Sequence, residues 1–210
     1  MKTSIKEWIK KDYIKSFGIC FAIAFLSFIY FVVKNGGFFV LTNDFNDQQI
    51  PFTIGLHKSL LDGGISGFSW DVDLGTSTLD AYSFYEMGSP FFWLTLLFSE
   101  GAIPYIMAWV TALKYGVMAV TAYGFMKRHL RTETGAYLAA IMYAFTGYQG
   151  AVLVYNHFHD AVAFFPLFLC AFENLFRRRE NGRRRVLGFV LMCTLMLVIN
   201  YYFFVGQAVF

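Results

Sequence analysis

The basic residues of this chain fall in three clusters, separated by long charge-poor apolar runs. Lys2, Lys6, Lys10, Lys11 and Lys15 precede the first run. Lys127, Arg128 and Arg131 follow the second, and Arg177–Arg179 with Arg183–Arg185 precede the last. Together they are 14 of the 17 lysines and arginines. Basic residues collect in cytoplasmic loops, so alternating clusters constrain the chain to thread a membrane back and forth. The runs themselves fit. Phe17–Val33, Gly135–Asn156 and Val186–Phe210 carry no charge, and Gly101–Met126 carries only Lys114. A shorter run, Ala161–Phe172, reaches Phe176 by including Glu173; tilt or flanking residues can complete such a span. A bilayer core ~30 Å thick takes ~20 residues per helix. The expected fold is an all-α polytopic membrane protein, a single membrane domain over 1–210 with about five transmembrane helices. Their ranges are about 14–34, 103–126, 134–154, 158–176 and 186–208, with a large outer loop over 35–102.

Composition agrees. Hydrophobic residues make up 57% and charged residues 15%, against ~25% charged in a soluble domain. That balance excludes a disordered chain or a nucleic-acid-binding module. The arginine run between two spans is a topology signal and a contact for anionic lipid. A cleaved signal peptide competes for the first 33 residues, but this apolar core is longer than a secretory one and ends in Val33-Lys34 without a small-x-small site. Cys20, Cys170 and Cys193 all fall inside expected spans and read as apolar packing residues. The last span runs to Phe210, so the chain reads as the N-terminal piece of a longer protein, or as a five-span protein with an outward terminus.

The net charge of +3 conceals a polarity between the two faces. The loop 35–102 holds eight acids (Asp44, Asp47, Asp62, Asp71, Asp73, Asp80, Glu86, Glu100) and one base, Lys58. The N-terminus is therefore expected in the cytoplasm, and this loop and the Asn156–Asp160 turn outside. A loop this long is usually functional. Asp47 is placed to cap a helix from Gln48, with Pro51 in its first turn. Phe52, Leu56 and Leu60 recur at i+4 as an apolar face; Gln49, Thr53 and His57 form a polar stripe at the same spacing. This predicts a helix lying on the outer interface and ending at Asp62-Gly63-Gly64. Gly63–Glu86 reads as irregular coil around Trp70. Met87–Phe98, with Pro90 in a first turn, predicts a second interfacial or re-entrant helix.

Asp44-x-x-x-Gln48-x-x-Pro51-Phe52, then Trp70-x-x-x-x-Gly75, then Ser89-Pro90-Phe91, in this order behind an inward-anchored first span, resembles the YfhO family of bacterial membrane proteins. The resemblance covers essentially the whole chain, as the N-terminal portion of longer proteins. It implies a GT-C type glycosyltransferase-like protein of the bacterial cell membrane. Such a protein would transfer a sugar from a polyprenyl-phosphate-linked donor to a cell-surface polymer such as teichoic acid. It also implies a carboxylate in the first outer loop that activates the acceptor hydroxyl or orients a divalent cation. Asp44 matches that place and is the expected catalytic residue. By position alone it is equally a solvated turn residue. Asp47 is a helix cap or an assisting group, and Gln48 orients Asp44 or contacts the sugar.

Three further residue sets are substrate-binding candidates. Lys114 lies mid-span, where a charge is costly unless paired or hydrated. It would bind the donor phosphate, pair with an acid in the bundle, or extend its stem toward an interface. His157, His159 and Asp160 in the second outer turn read as acceptor or phosphate contacts, a metal site, or a polar cap. The i, i+2 spacing of the histidines is not one helix face. The competing functional class is a non-catalytic transporter or flippase-like subunit, with Lys114, Asn200 and Gln207 lining a pathway.

Overall fold

The computed structural model describes residues 2–62, 67–70, 72, 74–176 and 182–209, with side chains from Lys11 onward. Gly63, Gly64, Asp71, Asp73 and Arg177–Arg179, read above as a helix stop, loop acids and a basic loop, lie outside the described residues, as do the side chains of Lys2, Lys6 and Lys10.

The regular secondary structure of the described residues is helical apart from one small hairpin. Helix α1 runs Lys2–Lys34. A π-helical turn, Phe45–Gln49, leads into α2, Ile50–Asp62. Strands β1 (Phe68–Ser69) and β2 (Thr76–Ser77) pair antiparallel. Short helices α3 (Thr78–Tyr82) and α4 (Pro90–Thr95) follow, and a 3-10 turn, Glu100–Ala102, opens α5 (Ile103–Met126). Then come α6 (Glu133–Ala144), α7 (Gly147–Ala151), α8 (Phe158–Phe176), α9 (Gly182–Ile199) and α10 (Tyr201–Val209). The protein is an all-α polytopic membrane protein. Among the described residues, three stretches are long and apolar enough to cross a bilayer: Lys11–Lys34, Glu100–Met126 and Phe158–Phe176.

Helix α5 is the axis of the bundle and packs against α1, α6 and α8. Its buried face is built from small residues, among them Ala108, Ala112, Gly116, Ala119 and Ala122. Without water to drive helices together, close backbone approach is what holds such a bundle. Gly116 shows the consequence: a β-carbon there would stand 2.7 Å from the Phe17 ring of α1. Ala136, Ala140 and Ala144 extend the same device along α6, all buried.

Two expected continuous spans are interrupted. The run over 134–154 divides after Ala144 into α6 and α7. At ~1.5 Å per residue, the 12 residues of α6 reach only ~18 Å. The run over 186–208 breaks at Asn200, whose Oδ1 accepts the Phe203 amide (3.1 Å) and whose Nδ2 donates to the Phe84 carbonyl (3.1 Å). By contrast Pro166 stays inside α8. It removes the amide that would bond the Val162 carbonyl, and the Tyr143 hydroxyl fills that vacancy at 2.8 Å. The segment expected as coil carries the hairpin and α3, capped by Ser77. Helix α4 is shorter than the expected Met87–Phe98 segment: it begins at Pro90, in its first turn as expected, with Ser89 as N-cap, and ends at Thr95.

Candidate functional site

Helix α2 does not lie with its polar stripe toward water. Gln49, Thr53 and His57 are all buried. The π-turn that precedes α2 accommodates an extra residue and so rotates the face that follows it. Phe45 drops into the core against Phe39, and the stripe points inward to the bundle. Each member then needs a partner. The Gln49 amide meets His157 Nδ1 at 2.9 Å. Thr53 Oγ1 stands 2.8 Å from the Gln49 carbonyl and 2.7 Å from Glu86 Oε1. His57 Nε2 is 3.1 Å from the Phe98 carbonyl.

The other wall comes from α5 and the start of α8. Lys114 is buried mid-helix, and its Nζ lies 2.6 Å from Asp160 Oδ1. It also donates to the Asn156 carbonyl at 2.9 Å, over the Phe91 ring. Asp160 sits in the first turn of α8, where the helix dipole favours a negative charge, and it accepts from the Ser89 hydroxyl. Glu86 enters from the turn between α3 and α4. Its neighbours anchor that turn to the last segment: Phe84 accepts from Asn200, and Gly88 lies so close to Val198 that a β-carbon would be 1.7 Å from its carbonyl oxygen. Thr53, Glu86, Ser89, Lys114, Asn156, His157 and Asp160 enclose a small cavity of about 10 Å³, room for about one water.

The two histidines diverge. His157 faces Gln49, and His159 Nε2 meets the Gln149 carbonyl at 3.1 Å. Burial holds the His157 ring well below its usual range, to about 3, with Lys114 and His159 adding to the effect. The ring is therefore neutral at physiological pH. Among the described residues no three His, Cys, Asp or Glu are disposed to hold a metal. Burial pushes the Glu86 carboxyl up to about 7, against the pull of Thr53 and Lys114 and with Asp160 adding to the rise.

The family of bacterial membrane protein YfhO matches the chain over residues 16–204. The chain belongs to the YfhO family. No curated protein and no solved structure matches it. The YfhO match takes in every residue of the buried cluster and the acidic loop, and leaves out the basic head of α1.

Of the candidates read from sequence, the structure brings Lys114, His157, His159 and Asp160 into one buried region. Asp44, Asp47 and Gln48 stand apart from its cavity. Asp44 is half-buried at the head of the π-turn, and its side chain makes no capping bond. Asp47 is exposed and does not cap α2, because the helical turn begins before it, at Phe45. Glu86, Thr53, Gln49 and Ser89 are additional members of the cluster. The i+4 polar stripe pointed to two of them, and Glu86 stands out as the one acid in the aromatic stretch Tyr82–Phe92.

Proposed function

We propose that this YfhO-family chain serves in transferring a sugar from a polyprenyl-phosphate donor to a cell-surface polymer of the teichoic-acid type. In this reading five segments thread the membrane, the basic clusters lie inside, and loop 35–102 lies outside. Asp44 is the base or activating carboxylate. The observation that carries the reading is its setting. Asp44 lies ten residues beyond the end of the first span and is half-buried without a capping bond. It heads a helix whose next residues are anchored to His157 and Glu86. A base must be reachable by its substrate yet held in place, and the buried cluster supplies the hold. His157, His159, Asp160 and Lys114 then support the loop, while the donor and acceptor meet at its surface beside Asp44, Asp47 and Gln48.

The test is Asp44→Asn in cells whose own copy is deleted, with glycosylation of the surface polymer as readout. Loss of a general base costs about 10²-fold or more, with expression and thermal unfolding unchanged. Wild-type glycosylation by the variant would sink the assignment. The transporter reading draws on a different observation, the Lys114–Asp160 pair with Glu86 inside the bundle, since ionisable groups there mark pathways. It requires solute flux in reconstituted vesicles that Lys114→Met abolishes and Asp44→Asn spares.

A further inference from the structure

We propose that Glu86 is a proton-binding site: a neutral carboxylic acid whose O–H donates to Thr53 and seats the 83–88 turn against the bundle. Hydrogen-bond counting supports this first. Thr53 Oγ1 lies within bonding distance of both the Gln49 carbonyl and Glu86 Oε1. Both are acceptors if Glu86 is ionised, and a hydroxyl has one hydrogen. A protonated Glu86 resolves the conflict, because it donates to Thr53 while Thr53 donates to Gln49.

Charge counting gives the same answer. The groups facing Glu86 are Lys114 of α5, Asp160 of α8 and His157 of the intervening turn, with Thr53 of α2 and Ser89 of α4. His159 does not line this cavity and faces the Gln149 carbonyl. Two carboxylates against one ammonium would leave a net negative charge in a buried site, which is strongly disfavoured. Asp160 holds Lys114 at 2.6 Å, so Glu86 is the group that keeps a proton. Among the described residues its second oxygen has no hydrogen-bond partner to stabilise a negative charge. On ionisation the proton leaves to solvent, Thr53 has no hydrogen to offer, and the new charge repels Asp160. Because Phe84 and Gly88 of this turn touch the α9–α10 break, the seat of the turn and that break respond together.

The experiment is infrared spectroscopy of the purified protein in detergent, comparing wild type with Glu86→Gln and Asp160→Asn. At about pH 6, where exposed carboxyls are ionised, wild type minus Glu86→Gln shows one carboxylic-acid C=O band, which titrates away with a midpoint near 7. Asp160→Asn lacks the band, because Glu86 ionises to pair with Lys114. Glu86→Gln copies the neutral acid, so it folds and unfolds at the wild-type temperature at that pH. Amide exchange across 83–88 increases in wild type between about pH 6 and pH 8 beyond the intrinsic chemical trend, and does not in Glu86→Gln. A wild-type protein without the band, a band that survives Glu86→Gln or Asp160→Asn, a Glu86→Gln protein that does not fold, or the same exchange change in both proteins overturns the proposal.

Discussion

The two ends of the bundle each hold lysine–carboxylate pairs, and they differ in almost everything but chemistry. Under the loop, Lys114 and Asp160 are 4% and 2% exposed. Just past the C-terminal end of α5, Lys127 and Glu133 meet at 2.9 Å but are 29% and 57% exposed, beside Arg128, His129 and Glu173. Water and salt screen the second group, and an exposed pair is worth little. The first group has lost its hydration, so its attraction mostly offsets a desolvation cost. The buried pair is therefore a constraint more than a gain: it specifies which elements come together, because any arrangement that separates them strands a charge.

That contrast is broken most directly at Lys114. Lys114→Met leaves Asp160 buried without its cation and should cost about 3–5 kcal/mol, read as a lower unfolding temperature in detergent. Adding Asp160→Leu should recover much of the loss, because the stranded charge is gone. A double variant no more stable than the single one would show that the pair is not the unit that matters. The next effect is steric. In Gly88→Ala the new methyl meets the backbone of Val198, which has no side-chain freedom with which to yield. A cost of about 1–3 kcal/mol is expected, together with faster amide exchange in both the 83–88 turn and the Ile199–Tyr201 break. Exchange that rises in the turn alone would mean the two are not coupled.

The sequence disclosed the helical, membrane-spanning character through charge placement, since Lys and Arg register topology before any packing exists. It disclosed the stripe Gln49, Thr53 and His57 but not its direction. Direction depends on the π-turn at Phe45–Gln49, which no residue pattern announces; Asp47 looked like a cap because an ordinary α-helix was assumed there. Lys114 was conspicuous as a charge within a span, and its partner Asp160 lay in a turn already under suspicion. Glu86 was marked only as the one acid in an aromatic stretch; its burial is a tertiary property of a turn held by Asn200 far along the chain. The breaks at Phe145 and Asn200 were invisible for a related reason: apolar content reports what a segment dissolves in, while the break at Asn200 is held by a partner distant in sequence, the Phe84 carbonyl.

The smallest effect belongs to the exposed end, and its smallness is the point. Glu133 accepts from the Tyr123 hydroxyl at 2.5 Å and from Lys127, a geometry that looks at least as good as that of Lys114. Yet Glu133→Gln should cost only about 0.2–1 kcal/mol. Tyr123 is buried, but the glutamine amide oxygen can still accept from its hydroxyl, and water replaces the lost contact to the half-exposed Lys127. The difference should shrink further as salt is raised, since exposed charges are screened over ~10 Å at 0.1 M, whereas the Lys114→Met penalty should hardly move. Unfolding temperatures of both variants at low and high salt check this. A Glu133→Gln loss as large as that of Lys114→Met, and insensitive to salt, would mean that the network around Tyr123 is shielded from water and that the two ends are built alike.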